Sequence, residues 1–135
     1  MVNLFFEETE ILDLNSEFFA FWVSKICELE GKKLEEVSII FCSDEYLLEM
    51  NKQYLDHDYY TDIITFDYYT EDVSGDLFIS VDRVKENAIN NGVSFDNELK
   101  RVVAHGILHL LGYGDKSEKE SKLMRKKENE ALALI

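Results

Sequence analysis

Two histidines four residues apart are the side chains of this sequence best suited to chemistry. His105 and His109 lie in the largely apolar stretch AHGILHLLGYGD, and the chain has only three histidines in 135 residues. Side chains four apart on an α-helix project from the same face, so both imidazoles can reach one ion at zinc–nitrogen distances of about 2 Å. An isolated pair with this spacing can equally bind backbone carbonyls or carboxylates, and the spacing alone leaves that alternative open.

A third candidate ligand, Asp115, follows the histidine pair after a glycine. Gly112 allows the helix to end in a left-handed turn, so the chain can fold back and bring the carboxylate to the imidazoles. Three protein ligands with a fourth position left for water are typical of catalytic zinc, whereas structural sites are usually four-coordinate and rich in thiolates. The sequence therefore predicts one zinc ion per chain, held by His105, His109 and Asp115.

The residue after the first histidine argues against a peptidase. The spacing HxxxHxxGxxD is that of a metzincin-type protease helix, but Gly106 stands where an HExxH protease has its glutamate general base. Zinc lowers the pKa of a bound water to about 7 and polarises phosphoryl oxygens, so hydrolysis does not require this glutamate. Phosphodiester hydrolysis is consistent with the motif.

The metal motif lies on one of five predicted helices, which accompany four predicted strands. Capping side chains indicate the helix starts, at Asn15 or Ser16, Ser43, Ser94 and Ser117. Glycines indicate the ends of three helices, at Gly31, Gly92 and Gly112. Apolar runs rich in β-branched and aromatic residues predict the strands, in VNLFF, VSIIFCS, DIITFDYY and GDLFISV. The loop between the last two strands has the character of a hairpin, which predicts that they are antiparallel neighbours.

Length and composition predict one domain over residues 1–135, with a core that needs no disulfides. Cys27 and Cys42 lie inside apolar runs, where they are interpreted as buried small hydrophobic residues and not as a redox or metal pair. The N-terminus has acidic residues where a secretory signal has a basic region, and no apolar stretch reaches the ~20 residues of a membrane span. We expect a cytoplasmic protein without a membrane partner.

The charge balance limits which partners the chain can attract. Its formal net charge is −14, which opposes non-specific nucleic-acid binding because phosphate contacts depend on Lys and Arg. A divalent metal at the site can nevertheless be the largest local charge. The strongly charged C-terminal segment SEKESKLMRKKENE is interpreted as a solvated helix face, with contact to a ribosome or another partner as the alternative.

Three ordered blocks spread over most of the chain carry a family resemblance. The first leads from Asn51 and Tyr54 into TDIITF at 61–66, the second is Gly75-Asp76, and the third is HGILHLLGY at 105–113. Together they resemble the YbeY family of single-strand-specific metallo-endoribonucleases, which act in ribosomal RNA maturation and ribosome quality control. The resemblance implies an α+β fold with a mixed four-stranded sheet and a zincin-like metal helix, in agreement with the order of elements above.

The resemblance also implies zinc ligands of the type HxxxHxxxxxH. His105 and His109 match this pattern, and Asp115 stands at the place of the third histidine. A carboxylate is an established zinc ligand, so the resemblance still implies a zinc site here.

Two further positions depart from the family pattern. Leu55 replaces the arginine that the family has after the tyrosine of the first block, and Tyr60 replaces the proline before the Thr-Asp pair. The first change removes a cationic phosphate partner, for which Lys52 or Arg101 are candidate substitutes. We therefore expect poor affinity for isolated RNA.

Five further residues have both a functional and a structural interpretation. His57 is a candidate fourth ligand or general acid, or else a surface residue. Tyr59 and Tyr60 are candidates for stacking on unpaired bases, or else for the core. Asp62 and Asp76 are candidates for orienting the metal histidines, or else solvated residues at strand ends.

The function expected from the sequence is a zinc-dependent endoribonuclease for single-stranded RNA, in particular for maturation of small-subunit ribosomal RNA. The ribosome or ribosomal proteins are the expected partners. One alternative is a metal hydrolase of another substrate class, which a carboxylate positioned beside the zinc water would favour. The other is a ribosome-associated binding module in which zinc only fastens the last helix, and four protein ligands would identify it.

Overall fold

The computed structural model describes residues 1–135, and its four strands form one mixed sheet. The strands are β1 (Val2–Glu7), β2 (Leu34–Cys42), β3 (Ile63–Asp67) and β4 (Val73–Ser80). Their order in the sheet is β1-β2-β4-β3, with β1 parallel to β2, β2 parallel to β4, and β3 antiparallel to β4. This arrangement confirms the α+β fold and the mixed four-stranded sheet.

Five helices pack with the sheet, as predicted. They are α1 (Ser16–Leu29), α2 (Asp44–Leu55), α3 (Val81–Asn91), α4 (Phe95–Leu110) and α5 (Glu118–Leu132). The capping side chains expected for α1, α2, α4 and α5 accept backbone N–H bonds, and α5 has a reciprocal capping box. The last helix ends at Leu132 and does not continue to Ile135. None of the five is long and apolar enough to cross a membrane.

The main core lies between the sheet and helices α1, α4 and α5. Trp22 on α1 is fully buried, and its indole N–H donates to the carbonyl oxygen of Ala131 at 2.9 Å, which fastens α5 to α1. Cys27 and Cys42 are buried and free, as expected from their apolar surroundings. Burial raises their pKa to about 11 and about 12, which keeps both thiols protonated.

Helix α4 lies close against the sheet because of a glycine. A Cβ atom at Gly106 would stand 2.7 Å from Cδ1 of Ile63 on β3 and 2.9 Å from Cδ2 of Leu77 on β4. A side chain at position 106 would have to displace the ends of both side chains. The close packing of α4 on the sheet therefore disfavours a glutamate at the position of the protease base.

A second glycine sets the spacing of the strands below the metal helix. A Cβ atom at Gly75 on β4 would overlap the carbonyl oxygen of Phe66 on β3 and lie 2.8 Å from Cδ2 of Leu110. Gly75 lies within β4, which begins two residues before the predicted strand, at Val73. The close approach of the Phe66 carbonyl and of Leu110 to this point of β4 therefore requires a residue without a side chain.

We expect Gly75→Ala to lower the free energy of unfolding by about 1 to 3 kcal/mol, because the added methyl group overpacks a site bounded by backbone. Gly106→Ala should cost less, since it meets the ends of side chains and gains about 1 kcal/mol of helix propensity. Urea unfolding of both variants measures the difference. A Gly75→Ala protein as stable as the wild type would contradict the close approach of β3.

Candidate metal centre

The two histidines of α4 present their imidazoles on one face of the helix. The ring centroids of His105 and His109 are 4.6 Å apart, and their Nε2 atoms are 3.0 Å apart. Their side chains are 23% and 27% exposed, so both rings are packed at their base and open on one side. The opposite face of α4, with Leu99, Val103 and Ile107, is in the core.

The turn after α4 brings the third predicted side chain back to this face. Gly112 has a φ of +100°, and the N–H of Tyr113 donates to the carbonyl oxygen of Leu108 at 3.0 Å. The hydroxyl of Tyr113 donates to Glu30, the residue directly after α1, which holds the turn against the body of the protein. Asp115 follows two residues later.

The carboxylate of Asp115 completes a triangle of donor atoms. Its Oδ2 lies 3.1 Å from Nε2 of His105 and 3.4 Å from Nε2 of His109. A tetrahedral zinc ion with ligands at about 2.0 to 2.1 Å separates those ligands by roughly 3.3 Å. The three side chains that the sequence singled out are thus brought together, and this cluster could hold one metal ion.

Hydrogen bonds on the far side of each imidazole fix where the protons are. Nδ1 of His109 is 2.9 Å from the carbonyl oxygen of Tyr113, and Nδ1 of His105 is 2.7 Å from Oε2 of Glu128. Both oxygens are acceptors, so each Nδ1 carries the proton and each neutral ring directs its Nε2 lone pair at the other ring and at Asp115. Three electron-rich atoms at this spacing need a cation between them, and a divalent metal suits the donor set.

Without a metal, the neighbouring carboxylates favour a proton on His105. Burial by itself would lower the pKa of His105, but the hydrogen bond and charge of Glu128, with the charges of Asp115 and Asp62, raise it overall. A metal that binds here must displace this proton, so binding is expected to release protons.

An open groove of about 740 Å³ borders the three groups. Its walls include the end of α2, the following loop and strand β3. Buried Asn51 holds the loop, because its side-chain amide donates to the carbonyl oxygen of Tyr59 at 2.8 Å. Leu55 is 41% exposed in this wall, and Lys116 is the single Lys or Arg that lines the groove.

Asp62 is the one additional carboxylate beside both the groove and His105. It borders the groove and also a smaller cavity of about 230 Å³ between α4 and α5. Burial raises the pKa of its carboxyl, and the charge of His105 partly opposes this. It makes no hydrogen bond with either imidazole, so it does not orient the histidines as the sequence allowed.

The remaining candidates lie outside the cluster. His57 is exposed and stacks on Tyr59 with ring centroids 5.0 Å apart, and both residues line the groove. Tyr60 is 46% exposed, and its hydroxyl donates to Glu45 at 2.5 Å. Asp76 borders a different cavity that contains none of the three groups.

Glu128 is the residue at this site that the sequence interpretation missed. The C-terminal helix was expected to be a solvated charged face, but Glu128 is 5% exposed. Burial by itself would raise its pKa, yet hydrogen bonds from His105 and Arg101 lower it overall, so the carboxylate is ionised. A signal was available, since Glu128 lies between Met124 and Ala131 on the buried stripe of α5 at helical spacing.

Comparisons with known proteins agree on one family. A family model described as "Endoribonuclease YbeY" matches residues 4–135. A Flavobacterium johnsoniae protein described as endoribonuclease YbeY is 50% identical over 136 residues, which cover 100% of this chain and 97% of that protein. A Bacteroides thetaiotaomicron protein of the same description is 50% identical over 129 residues, which cover 95% of this chain and 94% of that protein.

A solved structure has the same fold. The solution structure of a Thermotoga maritima protein matches with a TM-score of 0.70 at 32% sequence identity. The match covers 97% of this chain and 86% of the other.

We expect a divalent metal to raise the Tm of chelator-treated protein and Asp115→Ala to remove most of that rise, because the variant lacks one corner of the donor triangle. A metal at 100 times its Kd stabilises a folded protein by about 2.7 kcal/mol, which thermal unfolding resolves easily. Asp72→Ala, which removes an exposed loop carboxylate, is the control with the same charge change. An Asp115→Ala protein with full metal content and the full rise in Tm would exclude Asp115 from the site.

Proposed function

The chain belongs to the family of endoribonuclease YbeY, and on this premise we propose that it is a zinc-dependent endoribonuclease that cuts single-stranded RNA. The substrate we propose is ribosomal RNA, in particular small-subunit RNA during its maturation and in ribosome quality control. This places its action in the cytoplasm, with the ribosome or ribosomal proteins as further partners. The convergence of His105, His109 and Asp115 beside an open groove carries the proposal.

Zinc is the metal that best suits this donor set. Two neutral imidazoles and one carboxylate form a set of three protein ligands like those of catalytic zinc sites, and imidazole is a preferred ligand of zinc. When bound, zinc supplies a Lewis acid that polarises a phosphoryl oxygen and lowers the pKa of a water molecule to about 7. His105, His109 and Asp115 would hold it.

The groove supplies the other requirements of hydrolysis. Tyr59 and Tyr69 line the groove and are exposed, so they offer aromatic faces on which unpaired bases can stack. Asp62 stands beside His105 with a pKa raised by burial, toward the range in which a carboxylate works as a general base. We propose that Asp62 is the general base. It would accept the proton of the water that attacks phosphorus, while the P–O bond to the leaving oxygen breaks and that oxygen takes a proton from solvent.

The position of Asp62 also supports a second candidate function. A carboxylate beside the metal is the feature expected of a metal hydrolase of another substrate class, a peptidase included, although Gly106 replaces the usual protease glutamate. The binding-module alternative finds less support. The cluster has three candidate ligands, and they are open to the groove.

We expect single-stranded RNA oligonucleotides to be cleaved by the zinc-loaded protein and not after chelation. Asp62→Asn should retain its zinc and lower kcat by about 10² to 10⁴, as removal of a general base does. A parallel incubation with an unfolded protein substrate tests the peptidase alternative. Zinc binding without cleavage of either RNA or protein would favour a binding module, and chelator-sensitive proteolysis without RNA cleavage would identify a peptidase.

We expect Leu55→Arg to increase RNA affinity, because it adds a cation to a groove with one lysine and several carboxylates. One added phosphate contact should steepen the dependence of log K on log salt by roughly 0.7 for single-stranded RNA. Binding titrations at several salt concentrations measure both quantities.

Leu123→Arg is the matched control for this substitution. Leu123 on α5 is 42% exposed, compared with 41% for Leu55, and it lines neither the groove nor the cavity between α4 and α5. A general effect of net charge would change the RNA affinity of both variants alike. If the two variants bind RNA equally well, Leu55 is not near a phosphate path.

A further inference from the structure

Hydrogen bonds among Arg101, Glu128 and His105 connect α5 with the metal helix α4. Oε2 of Glu128 lies 2.7 Å from Nδ1 of His105, and Oε1 of Glu128 lies 3.1 Å from Nη1 of Arg101. The side chain of Glu128 is 7% exposed, and that of Arg101 is 19% exposed. Each oxygen of one carboxylate thus contacts a different turn of α4.

We propose that Glu128 is a positioning residue of the metal centre, which holds the His105 imidazole in the tautomer and rotation that binds metal. The inference rests on the proposed zinc site and deepens it. A carboxylate that accepts the Nδ1 proton of a metal-binding histidine fixes the ring and makes the opposite nitrogen a better donor to the metal. Removal of such a partner typically weakens metal binding by 10 to 100 times.

Arg101 fixes the carboxylate in turn. With Oε1 held by the guanidinium, the carboxylate of Glu128 cannot rotate freely, and Oε2 remains directed at His105. Arg125 on α5 contributes a weaker contact, with its Nε 3.7 Å from Oε1. The order of contacts is therefore Arg101 to Glu128 to His105, with the metal position beyond the ring.

The docking of α5 does not by itself require this carboxylate. The helix is also fixed by buried Met124 and Ala131 and by the hydrogen bond from Trp22 to the Ala131 carbonyl. A buried ion pair is weak evidence for stability, because desolvation offsets much of the attraction. A charge retained at this depth, aimed at a histidine of the metal cluster, is better explained by its effect on that histidine.

The two histidines differ in how they are held. His109 donates to the backbone carbonyl of Tyr113, which no side-chain substitution removes. His105 donates to a side chain, so a change at Glu128 acts on one ring and leaves the other in place. This asymmetry makes the proposal testable by a single substitution.

The test is the zinc affinity of Glu128→Gln, measured by competition with a chromophoric chelator. The amide has nearly the shape of the carboxylate but carries no charge, and its NH₂ group would face a donor, either His105 or Arg101, where the carboxylate has an oxygen. We expect zinc to bind 10 to 100 times more weakly. Glu130→Gln, with the same charge change on an exposed side chain of the same helix, should bind zinc within twofold of the wild type.

A second variant separates positioning from charge. Glu128→Asp keeps the charge but is one methylene shorter, so it withdraws the carboxylate from His105, and we expect it to bind zinc more weakly as well. Thermal unfolding of the metal-free variants reports any loss of structure. If Glu128→Gln does not fold, the aspartate variant decides the question.

The outcomes distinguish this inference from the proposed function. If folded Glu128 variants lose only Tm and bind zinc as tightly as the wild type, Glu128 is structural and the inference is wrong, whatever the protein does to RNA. If they lose zinc affinity while the wild type binds zinc but leaves RNA intact, the inference holds and the nuclease proposal fails. A wild type that binds no zinc overturns both.

Discussion

Three electron-rich atoms within 3.4 Å of one another are the constraint around which this fold is arranged. Left alone, the lone pairs of two imidazoles and a carboxylate repel, so the surrounding structure must hold them against that repulsion until a cation joins them. The helical register of α4 determines the positions of the two imidazole nitrogens, and the turn at Gly112 determines the position of the Asp115 carboxylate. The contacts of Tyr113 and Glu128 hold the far sides of the two rings, which leaves the shared side as the place for an ion.

The parts of this site that depend on neighbouring residues could be predicted from the sequence. The spacing of His105 and His109 fixes their common face whatever the rest of the chain does, and Gly112 marks a helix end with a reversal after it. The approach of Asp115 to the two histidines could therefore be predicted from local rules. The capping residues of four helices could be predicted in the same way. The order of strands and helices, together with the family resemblance, was sufficient to predict the mixed sheet.

Contacts between residues distant in sequence were not predictable in the same way. Glu128 is 23 positions from His105, and Tyr113 is 83 positions from Glu30, so no local pattern relates the members of either pair. The helical spacing of Met124, Glu128 and Ala131 could have indicated that Glu128 is buried, but its partner His105 becomes evident only when α5 is docked by Trp22. The same limit applies to Asp62 and Asp76. Both stand at the start of a predicted strand, but Asp76 lies within β4, next to Gly75, whose Cβ position faces Leu110 of α4. Because successive side chains of a strand point to opposite faces, Asp76 borders a different cavity.

The charge of the metal centre limits how strongly this acidic chain can attract an RNA substrate. A divalent ion held by two neutral imidazoles would keep a charge of +2 at the centre, but the carboxylate of Asp115 reduces it to +1, and Leu55 adds nothing to compensate. We therefore expect this site to attract phosphate only weakly in a chain of net charge −14. Stacking of bases on exposed aromatic rings such as Tyr59 and Tyr69 needs no cation, changes little with salt, and is possible only where bases are unpaired. On the function proposed above, we expect such a groove to favour single strands over duplexes, and RNA presented by a larger assembly over RNA captured from solution by charge.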